Sequence, residues 1–373
     1  MNQNSTELLA ELVRMRPVTE DVASVNRVTG KVTELLKAEG LYCTVEDFDG
    51  RKCLYASTVE GKVSDYLLNV HLDVVPAEEY QFEPEIKDGL MFGRGPADCL
   101  GSAVSVIQAL CRLKGKVSVA AIFSTDEETG GTTTAGMVER GYSATISACV
   151  IDSAWGSITY AQKGILDILL RAVSPTGGGH SSAPWNFTNP IDMLLDGYQK
   201  FRAAWQNPSV DDQWHNTMAA CVIRGGSAHN QIPDEATLQL NFRLIDAADR
   251  EKILALVRET TGLEATELTY CPPVTSDVNN AEIARLREIV RKHLIFRDEK
   301  ADRYAKEPKK VPLDHDVPLI QMNGATDARA LVDLNIPIVI LGLDGAGVHT
   351  AHEYVVLDSI DIMSDILVEY CNG

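Results

Sequence analysis

The chain has no apolar stretch long enough to span a bilayer, and its N-terminus, MNQNSTELLAELVRMRPV, lacks a basic segment followed by an apolar core. Membrane residence and export are therefore not expected. The eight cysteines (Cys43, Cys53, Cys99, Cys111, Cys149, Cys221, Cys271 and Cys371) form no C-x-x-C pair, which speaks against a disulfide framework and against a zinc-finger spacing. Reduced thiols in a cytoplasmic protein are the expectation. Positive charge is scarce: 34 Lys and Arg face 53 Asp and Glu, a formal net charge of −19. That excess disfavours nucleic acid and anionic membrane surfaces as partners and suits small substrates. There is no internal repeat and no low-complexity tract. At 373 residues the chain exceeds what one hydrophobic core usually organises, and its 45% hydrophobic content is ample for two.

The first 160 residues alternate helix and strand signals. Thr19 can cap a helix whose apolar positions Val22, Val25, Val28, Val32, Leu35 and Leu36 keep helical spacing until Gly40. Strands are expected at LYCTVED, CLYAST, YLLNV, VSVAAIF and ACVI, with a helix at GSAVSVIQALCRLK. This pattern predicts an α/β sheet with helices on its faces, and in such sheets ligands collect beyond the carboxyl ends of the strands. From 164 to 275 the character changes to a compact α+β unit: strands ILDILLRAV, TMAACVIR and ATLQLNFRLI, helices NPIDMLLDGYQKFRAAW and ADREKILALVRETTG, and a glycine-rich loop SPTGGGHSSAP. CPPVTSDVNN reads as a linker back to a helix AEIARLREIVRKHL, after which GATDARALVDL and IPIVILGL resume the helix-then-strand pattern. The expected plan is one domain of residues 1–163 and 276–373 with a second, 164–275, inserted in it. FRDEKADRYAKEPKK at 296–310 reads as a solvated helix or loop.

Acidic and imidazole side chains gather where these strands end. His71 and Asp73 follow YLLNV, Glu127 and Glu128 follow VSVAAIFS, Asp152 follows ACVI, and Asp98 stands in a turn between Gly95 and Gly101. Carboxylates near an apolar core are costly unless a cation or donor compensates them, so their convergence suggests bound metal. In a His-x-Asp turn the imidazole can ligate while the carboxylate holds the other ring nitrogen, which gives His71 and Asp73 those two roles. Of two adjacent glutamates, one can ligate metal while its neighbour holds the attacking water. Each motif alone has a plainer explanation. HLD can be hydrogen-bonded structure, Asp98 a helix N-cap, and the glutamate pair a solvated surface.

Taken in order, HLDVVP, GRGPADCLG, DEETGG, VIDSA, GGGHSSAP, GGSAHNQIPDEATLQLNFR, GATDAR and VHTAHEYV resemble the co-catalytic dizinc family of acetylornithine deacetylase, succinyl-diaminopimelate desuccinylase, aminoacylase, carboxypeptidase G and the bacterial tripeptidases. The resemblance implies a zinc-peptidase-like catalytic domain with a mixed central sheet flanked by helices, plus an inserted lid that also forms a homodimer interface. It implies that His71, Asp98 and Asp152 hold one zinc and Asp98, Glu128 and His349 the other, with Co2+ or Mn2+ as substitutes. Glu127 is then the general base and Asp73 the orienting carboxylate. The family's His-x-x-x-Glu pattern selects His349 with Glu353, leaving His352 a bystander. In the lid, His180 matches a histidine that supports the oxyanion in the partner's site, and Asn230 and Arg243 match positions on the substrate's carboxylate. Asp327 of GATDAR falls on the substrate side. Without the resemblance, Asn230 reads as a turn residue and Arg243 as a paired strand arginine.

Two departures stand out. Cys99-Leu100 replaces a pattern that commonly has Lys two positions after the bridging aspartate, and Pro96 replaces a small residue. Cys99 therefore borders a ligand, as a buried structural thiol or as a donor to an inhibitory metal. The expected reaction is metal-dependent hydrolysis of the amide of a small N-acyl amino acid, of the acetylornithine or succinyl-diaminopimelate kind. A dipeptidase, tripeptidase or carboxypeptidase of the same family is the enzymatic alternative, and a non-catalytic binding homologue the alternative of another class.

Overall fold

The structure is a computed structural model that describes residues 4–294 and 316–373. The charged run at 296–310 lies outside the described residues. Two compact units are present: Met1–Ala161 with Thr275–Ile320 and Thr326–Gly373, and Gln162–Val274 with Gln321–Ala325.

The first unit is built on a nine-stranded mixed sheet. Its order begins Tyr42–Phe48, Arg51–Ser57, Val119–Ser124, Val63–His71, Ser143–Ile151, Ile338–Leu341. The first two strands form an antiparallel hairpin, whereas Val63–His71 runs parallel to both Val119–Ser124 and Ser143–Ile151, and Ile338–Leu341 runs parallel to Ser143–Ile151. Strands covered on both faces read as continuous apolar runs rather than alternations. Val119–Ser124 is buried at every position, and Val63–His71 from Tyr66 onward. Helices Ser5–Arg14, Val22–Ala38, Gly101–Leu113, Ala281–Leu294 and Leu357–Cys371 place Leu8, Val32, Leu110, Leu286 and Leu367 in one core with Leu68, Phe123 and Ile151. The sheet flanked by helices agrees with the expected fold class.

Two local expectations need correction. The helix Val22–Ala38 is capped by Asp21, whose side chain accepts from the Ser24 amide, and not by Thr19. Thr19 is buried and donates to Asp73 instead. GATDARALVDL does not make an α-helix; Asp327–Leu334 winds as the tighter 3₁₀ form, with Thr326 accepting from the Ala328 amide at its start.

The second unit has a four-stranded antiparallel sheet in the order Thr217–Gly225, Glu235–Leu244, Gly164–Val173, Glu264–Cys271. The two inner strands alternate buried and half-buried residues with a period of two, and the buried set (Leu166, Ile168, Leu240, Phe242) packs with Leu194, Phe201 and Val257 from helices Pro190–Ala204 and Asp249–Thr261. Thr217–Gly225 is an edge strand on which only Met218 is buried. Inside the glycine-rich loop, Gly179–His180 forms a short strand paired with Gln231–Ile232. No helix among the described residues is long and apolar enough to cross a membrane.

Leu68 is fully buried in the middle of the parallel strands. Leu68→Ala should cost about 2–5 kcal/mol through lost burial and an unfilled cavity. The check is a fall in the denaturant midpoint; an unchanged midpoint would remove this strand from the core.

Candidate metal centre

Parallel pairing brings the candidate side chains to one edge. His71 ends its strand opposite Ser124, the last residue of the neighbouring strand, and Asp152 directly follows Ser143–Ile151 on the other side. The loops that leave these three strands therefore start side by side.

Asp73 ties two of those loops together. Its carboxylate, which is fully buried, accepts from Thr19 Oγ1 at 2.8 Å and from the backbone amides of Glu127 and Glu128 at 3.3 Å each. His71 Nδ1 lies 2.9 Å from the Asp73 carbonyl and 3.5 Å from its Oδ1, which leaves Nε2 facing the site. Burial pushes the Asp73 carboxyl up, but the bonds from His71, Thr19 and the Glu128 amide outweigh it, so the group is held below the usual range. The loop beyond is pinned by Asp126, which accepts from the Thr132 and Thr133 amides at the start of helix Thr132–Glu139. Gly131 has φ +66°, and a Cβ there would collide with Asp327 Oδ1 and lie 2.7 Å from Arg329 Nη2. The second glycine of DEETGG thus lets those two side chains approach.

Glu353 fixes the Asp98 loop. It is 1% exposed, it pairs with Arg94 Nη1 at 2.5 Å, and its Oε1 accepts from the amides of Gly95, Ala97 and Asp98 at 2.9, 3.1 and 3.3 Å. Gly95 has φ +92°, and a Cβ there would lie 2.6 Å from Val74 Cγ1, so this turn requires glycine. Pro96–Leu100 forms one irregular turn in which Asp98 has non-helical dihedrals and caps nothing through its side chain. The Asp98–Cys99 peptide is cis.

Asp98 is shared between two imidazoles. Its Oδ1 is 2.9 Å from His71 Nε2 and its Oδ2 is 3.2 Å from His349 Nε2, while His349 Nε2 is also 3.0 Å from Glu128 Oε2. Two groups of potential metal ligands result: His71, Asp98, Cys99 and Asp152, and Asp98, Glu128 and His349, with the donor atoms of each group within 4.8 Å of one another. Glu127 belongs to neither group. Its carboxylate, 12% exposed, stands 3.8 Å from Arg329 Nη2. His352 is exposed. Asp327, expected on the substrate side, is 1% exposed and accepts from Thr134 Oγ1 at 2.7 Å, with no hydrogen-bond partner for Oδ1 among the described residues.

The electrostatics fit divalent cations. Burial, then the Asp152 charge, raises Glu127 to about 9; burial, then Asp98, raises Glu128 to about 7 and Asp152 to about 6. Burial likewise raises Asp98, but its bonds from His349 and His71 outweigh this and hold it well below the usual carboxylate range. Bonding to Asp98 raises His349 to about 9. Protein cations alone thus leave three of the carboxylates with raised proton affinity, which is the deficit that ions bound between them would fill.

The second unit carries the remaining candidates. His180 is exposed, with Nδ1 2.8 Å from Ser182 Oγ, and its strand partner is Gln231, next to Asn230. Asn230 is exposed, and its carbonyl accepts from the Ser181 amide at 2.9 Å. Arg243 is half-buried on the strand Glu235–Leu244, with Nε 3.3 Å from Asn241 Oδ1. The sequence pointed to no site role for Arg94 or Arg329, and it cast Thr19 as a helix cap rather than as a donor to Asp73. Only the family's His-x-x-x-Glu spacing pointed to Glu353.

Comparison with known proteins decides the family. The model of peptidase family M20/M25/M40 matches residues 67–372. The chain belongs to that family. Among curated relatives, a probable succinyl-diaminopimelate desuccinylase of Staphylococcus aureus (strain MRSA252) is 25% identical over 357 residues, covering 81% of this chain and 82% of the relative. Two solved M20 structures share the fold. A metallo-carboxypeptidase from Sulfolobus solfataricus has a TM-score of 0.78 at 16% identity, covering 99% of each chain. A dinuclear metal-binding peptidase from Bacillus subtilis has a TM-score of 0.65 at 15% identity, covering 98% of each. The M20 family is metal-dependent, and this member is a hydrolase acting on amide bonds.

Two outcomes are expected from this geometry. Glu353→Ala should leave the Asp98 loop without its anchor and weaken divalent-ion binding by roughly 10–100-fold in titration calorimetry; unchanged binding would deny Glu353 that part. In metal-free protein, raised carboxyls and raised histidines both contribute stability that is lost as pH rises through their folded values. Thermal unfolding in chelator should therefore fall from about pH 5 to about pH 9, the window set by Glu128, Glu127 and His349. Added zinc should stabilise most at the alkaline end. A flat chelator profile would contradict the charge deficit.

Proposed function

We propose that the protein is a two-metal amidohydrolase that releases a carboxylic acid and an amine from a small N-acyl amino acid, of the acetylornithine or succinyl-diaminopimelate type. The observation that carries this reading is Glu127 standing beside, but outside, two ligand groups that share Asp98. His71, Asp98 and Asp152 would hold one divalent ion, and Asp98, Glu128 and His349 the other. Zinc suits imidazole and carboxylate donors, with cobalt or manganese as substitutes. Such a pair of ions polarises the substrate carbonyl and lowers the pKa of the attacking water.

The chain's own residues do the rest. Glu127 takes the water's proton as the water attacks the amide carbon, then gives it to the leaving nitrogen. Burial, with Asp152, raises Glu127 to about 9, so it has a high affinity for that proton; bound cations would bring it back toward neutrality. Arg329 faces the same carboxylate and holds it in place. Asp73 keeps His71 in one tautomer by taking up its Nδ1 side. Arg243 and Asn230 are read as carboxylate-binding groups, since a guanidinium can grip a carboxylate through two hydrogen bonds.

The relative's name supports deacylation, and the name of the carboxypeptidase with the same fold supports cleavage of a short peptide as the alternative. The second unit is read as a lid that joins two copies. An exposed edge strand with Val222 at 41% and Ile223 at 59% exposure favours pairing with a second copy. Exposed His180 would then support the oxyanion in the partner's site. The absence of any C-x-x-C spacing among the eight cysteines agrees with a reducing, cytoplasmic setting.

Turnover on a panel of N-acetyl, N-succinyl and dipeptide substrates tests the reaction. Glu127→Gln should lower kcat by roughly a hundredfold or more with two ions per chain retained; loss of metal along with activity would make Glu127 a ligand. The shared site is tested by mixing inactive Glu127→Gln and His180→Ala chains. Heterodimers should regain activity, because one of their sites has both groups, whereas silence despite verified subunit exchange would exclude a role in trans.

A further inference from the structure

The two-metal reading leaves one donor at the site unused. Cys99 follows the shared Asp98, is 1% exposed, and has Sγ 3.5 Å from Asp152 Oδ1 and 3.3 Å from the Ile151 carbonyl. With His71, Asp98 and Asp152 it makes a set of four potential ligands whose donor atoms are all within 4.8 Å of one another. From a zinc–sulfur bond of about 2.3 Å and a zinc–oxygen bond of about 2.1 Å, two tetrahedral donors stand about 3.6 Å apart. Cys99 and Asp152 have that separation.

We propose that Cys99 supplies a thiolate to the ion held by His71, Asp98 and Asp152. One position then has four protein donors including a soft sulfur, while the Asp98, Glu128 and His349 position has only nitrogen and oxygen. The inference rests on the two-metal reading and adds an asymmetry to it. A fourth protein donor would leave that ion less room for water than the three-donor ion has, without excluding a fifth ligand. The three-donor set includes His349, whose side chain is 51% exposed, whereas the His71 side chain is 1% exposed. When the ion enters, the S–H bond is replaced by a metal–sulfur bond and the proton leaves to solvent, so no redox partner is needed. Sulfur also biases the Cys99 position toward softer ions such as cadmium and zinc over manganese. The competing explanation is a buried thiol that only donates weak hydrogen bonds to Ile151 and Asp152.

The test is metal spectroscopy on the full chain. Metal-stripped protein loaded with two cobalt ions should show a near-ultraviolet thiolate-to-cobalt charge-transfer band that Cys99→Ser abolishes. In the same variant, the preference for cadmium over manganese should fall by at least about tenfold. X-ray absorption of the unsubstituted zinc protein needs no variant and should contain a zinc–sulfur shell at about 2.3 Å. That measurement decides alone if Cys99→Ser misfolds. Two bound ions with no sulfur neighbour, or a cobalt band that survives Cys99→Ser, would overturn the thiolate while leaving the two-metal reading intact. A chain that binds no divalent ion would overturn both.

Discussion

A single buried carboxylate organises the edge of the first unit's sheet where the candidate ligands gather. Asp73 faces His71, takes the Thr19 hydroxyl, and accepts from the amides of Glu127 and Glu128. Because an ionised carboxylate cut off from water needs every lone pair satisfied, its position is over-determined by three separate segments of chain. The loops after two parallel strands are thereby locked in one relation, and the acids they carry cannot relax apart. Glu353 does the same for the Asp98 turn through three amides and Arg94.

That rigidity explains the electrostatics. Flexible acids would separate or turn to solvent; here Asp98, Glu127, Glu128 and Asp152 are held close enough to raise three of the four and depress the shared one. Asp98 is the exception because each of its oxygens already faces an imidazole. The scaffold therefore stores repulsion that binding can release, a form of preorganisation achieved by backbone amides rather than by side-chain packing.

Much of this was legible in the sequence because parallel strands buried on both faces read as apolar runs, and the candidate site residues directly follow them. YLLNV and VSVAAIF located His71 and the Glu127–Glu128 pair without any knowledge of pairing. What escaped were partners distant along the chain. Nothing in its own stretch of sequence marks Arg94 as buried, since its carboxylate partner Glu353 stands 259 residues away, and Glu353 was signalled only by its spacing from His349. Thr19 and Asp21 are both competent caps two residues apart, and only the tertiary pull of Asp73 on Thr19 settles which one caps. Asp327–Leu334 carries helical spacing, yet Asp327 bonds to Thr134 and the segment tightens to 3₁₀. The short strand at Gly179–His180 is hidden because glycines give no periodicity.

The chain order of the Arg94–Glu353 pair also has a meaning in time. A ribosome adding ~5–20 residues per second would deliver Glu353 roughly 13–50 seconds after Arg94, so a growing chain exposes its acidic loops long before their anchor exists. The buried hydrophobic cluster of the second unit, by contrast, is drawn from residues 166–257, all of them made before Glu353. The nascent chain therefore carries the Asp98 turn for an interval in which the carboxylate that accepts from its amides has yet to be made.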